Sequence, residues 1–232
     1  MVSGTAGLLG RRSWEDRLAS MGVARHPSLV GAGGVVKRLL DILGAVVGLA
    51  VMLPVFAVVS LAIRWDSPGP VFFTQERVGW NGRRFRILKF RTMVVDAEAM
   101  RAALASRNEI ADGPIFKMKE DPRVTRVGLF LRRSSLDEFP QLFNILAGDM
   151  SLVGPRPPLP SEVDDYADRD LERLRVMPGA TGTWQVSDRR GGTSFREMVD
   201  LDLQYAATWS LLLDVSILLR TVLLVLRLQG SR

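Results

Sequence analysis

Twenty-two consecutive residues, Ile42–Ile63 (ILGAVVGLAVMLPVFAVVSLAI), carry no charge. A buried helix of a water-soluble domain seldom runs so far without one, so the segment reads as a membrane segment. Two features argue against a plain span. Pro54 lies near the middle, where proline removes a backbone donor and crowds the preceding turn, kinking or breaking a helix. Proline-kinked spanning helices exist, so the second feature matters more. Both flanks are basic: Arg25, Lys37 and Arg38 precede the segment, and Arg64, Arg77, Arg83, Arg84, Arg86, Lys89 and Arg91 follow it. Basic flanks stay cytoplasmic, and a single span cannot keep both there. A hairpin bent at Pro54 can. Its first arm, Ile42–Leu53, would be about 18 Å long at about 1.5 Å per residue, short of a hydrocarbon core of about 30 Å. The sequence therefore predicts a re-entrant helix-break-helix over a straight span or a buried helix of a soluble domain.

The last apolar run, Trp209–Gln229, is interrupted by Asp214, Arg220 and Arg227. At 100° per residue the two arginines fall close together on one face. That suits a helix lying in the membrane interface. A core helix against the globular part is the competing reading, and each suits a different face.

Charge and residue usage narrow the chemistry. The chain has 232 residues, enough for one core of ordinary size. Its net charge of +6 favours an anionic partner: nucleic acid, a membrane surface or a phosphorylated substrate. It contains no cysteine and a single histidine, His26, in a polar stretch that reads as a solvated tail. Disulfides, cysteine nucleophiles, cysteine-ligated zinc and a Ser-His-Asp triad are thus set aside, leaving carboxylates, Lys, Arg, hydroxyls or a hard metal. Residues 1–36 lack a secretory pattern and read as a loosely ordered polar extension. Gly31–Gly34 (GAGG) is not a dinucleotide fingerprint, and no phosphate-binding P-loop occurs.

Beyond the apolar segment, VFFTQERVG and RRFRILKFRTM read as strands joined by a tight Trp80-Asn81-Gly82 turn. Asp96–Ile110 reads as a helix, DGP at 112–114 and Asp121-Pro122 as chain breaks, and GLFLRR as a strand or a helix. SSLDEFPQLFNILAG reads as a helix ending at Gly148. The expected class is mixed, helix-rich α/β.

Within that last helix two adjacent carboxylates, Asp137 and Glu138, follow Arg132 and Arg133. Ser135-Leu136-Asp137-Glu138 matches a capping box, with Ser135 as N-cap, and acids in a first turn complement the helix dipole. The same residues admit a catalytic reading. Neighbouring arginines and a helix N-terminus favour an ionised carboxylate, which can attack phosphorus, and paired carboxylates can hold Mg²⁺ against a pyrophosphate. Downstream, Arg156 stands between Pro155 and Pro157 on a stiff loop. Lys89 and Arg91 share a face if KFRTM is a strand.

These stretches, KRLLDILGAVVGLAVMLPVFAVVSLAI, DSPGPVFFTQERVGWNGRRFRILKFRTM, DPRVTRVGLFLRRSSLDEFPQLFNILAGDMSLVGPRP, MPGATGTWQVS and FREMVDLDLQYAATWSLLLDVSILLRT, resemble in order the bacterial sugar transferase family of monotopic phosphoglycosyl transferases, over roughly 37–229. The resemblance implies transfer of a sugar-1-phosphate from a UDP-sugar to polyprenyl (undecaprenyl) phosphate with release of UMP, in exopolysaccharide, O-antigen or glycoprotein glycan assembly. It implies Asp137 as nucleophile in a covalent phosphosugar intermediate, Glu138 as its metal or proton partner, and Mg²⁺ held by the pair. It implies Pro155, Arg156 and Pro157 at the nucleotide, Lys89 and Arg91 at the phosphates, Arg132, Arg133 and Gln141 nearby, and Asp200 or Asp202 in a matching acidic stretch. It places the protein on the cytoplasmic face of the bacterial inner membrane, in contact with membrane lipids, and divides it into an extension (1–36), a membrane hairpin (37–64) and a catalytic domain (65–232). Some members have a serine before the hairpin proline where this chain has Leu53. Larger members carry a multi-span N-terminal domain, and the C-terminal TGTWQVSDRRGGTSF is more similar to those, as if their core stood alone. A membrane-anchored adaptor with a basic lipid-binding face is the alternative. Nucleic-acid binding is not expected, because the basic residues adjoin the membrane segment. The sugar, and whether the chain forms a homodimer, are open at this level.

Overall fold

A computed structural model of the chain describes residues 12–22, 26–104, 108, 113–115, 118, 120–187 and 194–227. Helix α1 (Trp14–Ser20) begins at Ser13, whose hydroxyl accepts from Asp16 N–H, with Glu15 and Asp16 in the first turn. Trp14 and Leu18, one turn apart, bury against Val78, Val163, Tyr166, Leu171 and Leu174. Arg17 donates to the Tyr166 carbonyl at 2.8 Å and to Asp168 at 2.9 Å. This part of the extension is therefore docked, not loosely ordered. Residues 1–11 and 23–25, including the basic flank residue Arg25, lie outside the described residues.

Helix α2 (Gly31–Asp66) is, among the described residues, the one helix long and apolar enough to cross a membrane. The helix continues through Pro54, so the two expected arms form one helical element. Pro54 offers no N–H to the Ala50 carbonyl, at a point where Val51 and Leu53 are exposed. The buried residues Gly34, Lys37, Asp41, Ala45, Val59 and Ile63 fall within a stripe about 80° wide at 100° per residue. Leu39, Leu43, Val46, Leu53 and Leu61 lie on the opposite side, exposed.

Two of the cations expected on the cytoplasmic flank are fastened into the fold instead. Lys37 Nζ donates to Asp214 at 2.7 Å and to the Val153 carbonyl at 3.1 Å, in a buried ion pair. Arg38 donates to the Ile145 and Leu146 carbonyls at 2.6 and 3.0 Å, at the C-terminal end of a helix, where carbonyls attract a guanidinium.

The two predicted strands form an antiparallel hairpin, β1 (Phe72–Val78) and β2 (Arg84–Phe90), in register from Phe72↔Phe90 to Val78↔Arg84. Trp80–Gly82 closes it as a 3₁₀ turn, with Asn81 left-handed at φ 49°, a conformation asparagine tolerates. Of the helix expected over 96–110, α3 (Ala97–Leu104) is helical, whereas Asp96 is a turn and Asn108 is not helical; residues 105–107 and 109–110 lie outside the described residues, as does Asp112 of the DGP break. GLFLRR is helical, within α4 (Arg126–Ser134). α5 (Gln141–Ala147) ends at Gly148 as expected. β3 (Ser151–Val153) pairs in parallel with β4 (Gly179–Thr181). Between them lie the short helices α6 (Pro160–Val163) and α7 (Asp168–Leu171). α8 (Thr183–Ser187), α9 (Phe195–Thr208) and α10 (Leu211–Leu226) complete the chain.

Helix α10 shows both faces anticipated for it. Asp214 and Ile217 are buried, Ile217 with Val153 and Tyr205, while Leu212, Val215, Leu219, Val222 and Leu226 are exposed. Arg220 and Arg227 sit exposed beside that apolar face. Among the described residues the architecture is helix-rich and mixed α/β, with two small sheets and a long, outward-facing apolar helix.

Candidate active site

The turn that carries the two carboxylates is not a helix start. Ser135 is left-handed (φ 57°) and terminates α4, its N–H donating to the Arg132 carbonyl at 3.2 Å. Leu136–Glu138 then form a 3₁₀ turn, to which the Ser135 side chain gives no cap hydrogen bond. The predicted capping box is therefore absent. Pro140 opens α5 instead, where a missing N–H leaves no helical bond unmade. Asp137 and Glu138 thus occupy a tight corner between two helices.

Cations reach this corner from two elements. Lys89, near the end of β2, donates to Glu138 Oε1 at 3.2 Å, with both side chains partly exposed. Arg132, in the last turn of α4, is held by its Nε on Thr92 Oγ1 at 3.0 Å. Asp137 is buried, and burial foremost, then the charge of Glu138, pushes its carboxyl up to about 6. Lys89, Arg132 and its own backbone N–H pull it back. Among the described residues Asp137 enters no ion pair. Burial lowers the pKa of the Arg132 guanidinium, opposed by the charges of Asp137 and Asp121.

The other expected site residues divide sharply. Gln141 is buried at the start of α5, one turn past the carboxylates. Arg133 is exposed on α4. Arg91 does not share the face of Lys89. β2 ends at Phe90, and the Arg91 guanidinium turns onto the Pro68 carbonyl and, at 2.8 Å, the Ser67 carbonyl. Arg156 is drawn onto Glu162 at 3.1 and 3.4 Å. The Pro155–Pro158 loop is fixed through its carbonyls. Gly179 N–H holds that of Pro155 at 2.9 Å, Arg173 that of Arg156 at 3.2 Å, Arg77 that of Pro157 at 3.1 Å, and Val78 N–H that of Pro158 at 2.9 Å. Arg173 is itself paired with Asp202 and donates to Tyr166 Oη at 2.6 Å. Asp200 meets Arg169 on the surface. Neither acid of that stretch therefore pairs with a site cation.

Two neighbours of the corner had not been singled out. Thr92 lies inside the KFRTM stretch, but nothing in a β-rich run marks one hydroxyl as an arginine support. Asp121 was read only as a chain break; it accepts the fork of Arg123 at 2.7–3.2 Å and adds to the field at Arg132.

As metal ligands, Asp137 and Glu138 are a pair without a third partner: among the described residues no group of three His, Asp or Glu forms. Two carboxylates suit Mg²⁺ held jointly with substrate phosphates and water, not an all-protein cage. The like charge that raises Asp137 is what a cation would relieve.

The chain has close relatives among known proteins. It is 46% identical over 198 residues to the "Galactosyl transferase CpsE" of Streptococcus agalactiae serotype III (strain NEM316), covering 85% of this chain and 44% of that protein. It is 40% identical over 202 residues to the "Exopolysaccharide production protein ExoY" of Rhizobium meliloti (strain 1021), covering 86% and 89%. It is 44% identical over 193 residues to the "UDP-glucose:undecaprenyl-phosphate glucose-1-phosphate transferase" of Caulobacter vibrioides (strain ATCC 19089 / CIP 103742 / CB 15), covering 80% and 68%. The chain thus spans less than half of the first relative and most of the second. The family model described as "Bacterial sugar transferase" matches residues 32–228, from the start of α2 past the end of α10, and the chain belongs to that family.

Proposed function

We propose that the protein transfers a sugar-1-phosphate from a UDP-sugar to a polyprenyl phosphate, such as undecaprenyl phosphate, and releases UMP. The observation that carries this reading is Asp137: a buried carboxylate with a like-charged neighbour, flanked by Lys89 and Arg132 and tied into no ion pair among the described residues. The names of the Caulobacter and Rhizobium relatives support a nucleotide-sugar donor, a lipid phosphate acceptor and a product used in exopolysaccharide.

An Asp137 oxygen attacks the sugar-bearing phosphorus. A P–O bond to the carboxylate forms, and the bond to the bridging oxygen breaks, UMP leaving with the electron pair. An oxygen of the polyprenyl phosphate then attacks the same phosphorus and displaces the carboxylate, giving a polyprenyl diphosphate sugar and regenerating Asp137. Lys89 and Arg132 stand where phosphate charge accumulates. Glu138 keeps the local field negative in the free enzyme and accepts Lys89. Mg²⁺, held by Asp137 and Glu138, would neutralise the diphosphate of the donor. Pro155, Arg156 and Pro157 offer a rigid wall for the nucleotide. Gln141, buried one turn past the pair, and Arg133, exposed on α4, are further candidate substrate contacts.

The apolar outer faces of α2 and α10 seat the protein in the membrane. In this reading α2 sits in the cytoplasmic leaflet of the inner membrane and bends at Pro54 without a break in the helix, keeping both its ends at the cytoplasmic face, and α10 lies in the interface with Arg220 and Arg227 at head-group depth. A soluble donor and a lipid-bound acceptor can then visit Asp137 in turn.

The test uses purified protein, Mg²⁺ and a panel of UDP-sugars, without acceptor. The expected result is about one UMP per enzyme and a phosphosugar adduct by intact mass on the wild type, neither on Asp137→Asn. A folded Asp137→Asn protein that turns over normally would sink the mechanism.

A further inference from the structure

We infer that Asp66 and Arg91 are positioning residues for this reaction, tying the exit of membrane helix α2 to the two elements that present cations to Asp137 and Glu138. The inference rests on the reading of that pair as the reacting group.

The contacts converge on four consecutive residues at and just after the end of β2. Lys89 reaches Glu138 at 3.2 Å. Arg91, two residues on, grips the Pro68 and Ser67 carbonyls, which directly follow the last turn of α2. Gly69 makes room for it: φ is +118°, and a Cβ there would lie 2.2 Å from Arg91 Nη1. Thr92 then supports Arg132 through its hydroxyl at 3.0 Å and receives Thr125 N–H on its carbonyl at 3.0 Å. Helix α4 approaches this residue so closely that a Cβ on Gly128 would lie 2.0 Å from Thr92 O.

A second tie comes from the other side. Asp66, the last residue of α2, accepts Val127 N–H at 3.0 Å, in the first turn of α4. Thr125 caps the next amide, Gly128 N–H, at 3.0 Å. The end of the membrane helix thereby supplies part of the N-cap of the helix whose last turn carries Arg132. Between these ties Val59 and Ile63 of α2 pack with Phe90 and Leu131, the neighbours in sequence of Lys89 and Arg132. Where α2 leaves the domain therefore sets where both cations stand. Arg91, buried and committed to carbonyls, acts through this frame and not as a ligand of the donor diphosphate.

Three variants in detergent micelles test this: Arg91→Lys, which keeps the charge but loses the fork, Asp66→Ala, and Asp66→Asn, which keeps an acceptor for Val127 N–H. Single-turnover UMP release at saturating UDP-sugar should fall at least about tenfold in Arg91→Lys and Asp66→Ala, as misplaced catalytic groups do. KM should stay within about threefold, since positioning acts on the chemical step, and Asp66→Asn should recover the rate. Amide hydrogen exchange should rise over residues 89–92 and 126–139 in the two impaired variants. A raised KM with an unchanged rate would make Arg91 a diphosphate ligand and overturn the inference. So would wild-type rates, with or without faster exchange. If the wild type itself releases no UMP from any donor, the reading of the site has failed. The exchange data then decide the tie alone: unchanged exchange in Asp66→Ala removes it. If Arg91→Lys does not fold, the Asp66 pair carries the test.

Discussion

Two regions of this protein gather acids and arginines, and they treat them in opposite ways. Beneath the Pro155–Pro158 loop, Arg173 is fully enclosed and donates to Asp202, Tyr166 and the Arg156 carbonyl; Glu162 takes Arg156 and the Leu159 N–H. Each strong acceptor there has a strong donor. At the Leu136–Glu138 turn the cations stand close, yet Asp137 is left with a raised pKa and no ion partner among the described residues. A closed network fixes a shape. An under-neutralised carboxylate in a buried corner holds reactivity in reserve, because burial and Glu138 oppose its charge until something positive arrives.

The comparison breaks most visibly through Asp137→Asn. UMP release should fall by at least about 10³-fold, the usual scale for loss of a nucleophile, while the protein should become more stable. The sign follows from the pKa. Burial and Glu138 raise the folded value to about 6 from 3.8, so between these values the folded state holds the extra proton and stability falls as pH rises. The substitution removes that penalty, a gain of about 1–3 kcal/mol at pH 7.5 that fades as pH drops towards 4. Chemical denaturation at both pH values measures it.

The closed network should respond the other way. Asp202→Ala strands a buried guanidinium and should cost about 3–5 kcal/mol, with activity lost only as folded protein is lost. Two residues along α9, Asp200 meets Arg169 in the open, and Asp200→Ala should cost less than about 1 kcal/mol. Equal losses at both sites would show that burial is not what separates them. The mildest effect is on pH dependence: kcat/KM for the UDP-sugar should show an acid limb near pH 6, where Asp137 gains its proton. A limb near 4 would mean that the free site is already neutralised.

Short-range patterns were legible in the sequence. The apolar run 42–63, the Phe72–Phe90 hairpin with its Asn-Gly turn, and the helix end at Gly148 each depend on spacing within a few residues. Helix α1 carried its own signals too, a serine cap, acids in the first turn and an apolar pair four apart, but its polar surroundings concealed them. The capping-box pattern at Ser135 misled because the same serine serves a helix arriving from before; pattern alone does not say which side of a serine is helical. The adjacency of Asp137 and Glu138 was legible, whereas the frame around them was not. Lys37–Asp214, Arg173–Asp202 and Asp66 with Val127 join residues far apart in the chain, and no local periodicity encodes them. For Arg91 and Arg156 the sequence shows charge without showing the Ser67 and Pro68 carbonyls or the Glu162 carboxylate that they engage.

The Lys37–Asp214 pair also bears on how the chain is made. The two residues are 177 positions apart, so at about 5–20 residues per second Asp214 leaves the ribosome about 9–35 s after Lys37. Over that interval Lys37 lacks the Asp214 carboxylate, and α2 has emerged before most of the domain it packs on. The latch that joins it to α10 closes only after Asp214 has emerged. Chains stopped short of residue 214 would keep the Arg38 and Asp66 ties of α2 but leave Lys37 without its Asp214 carboxylate.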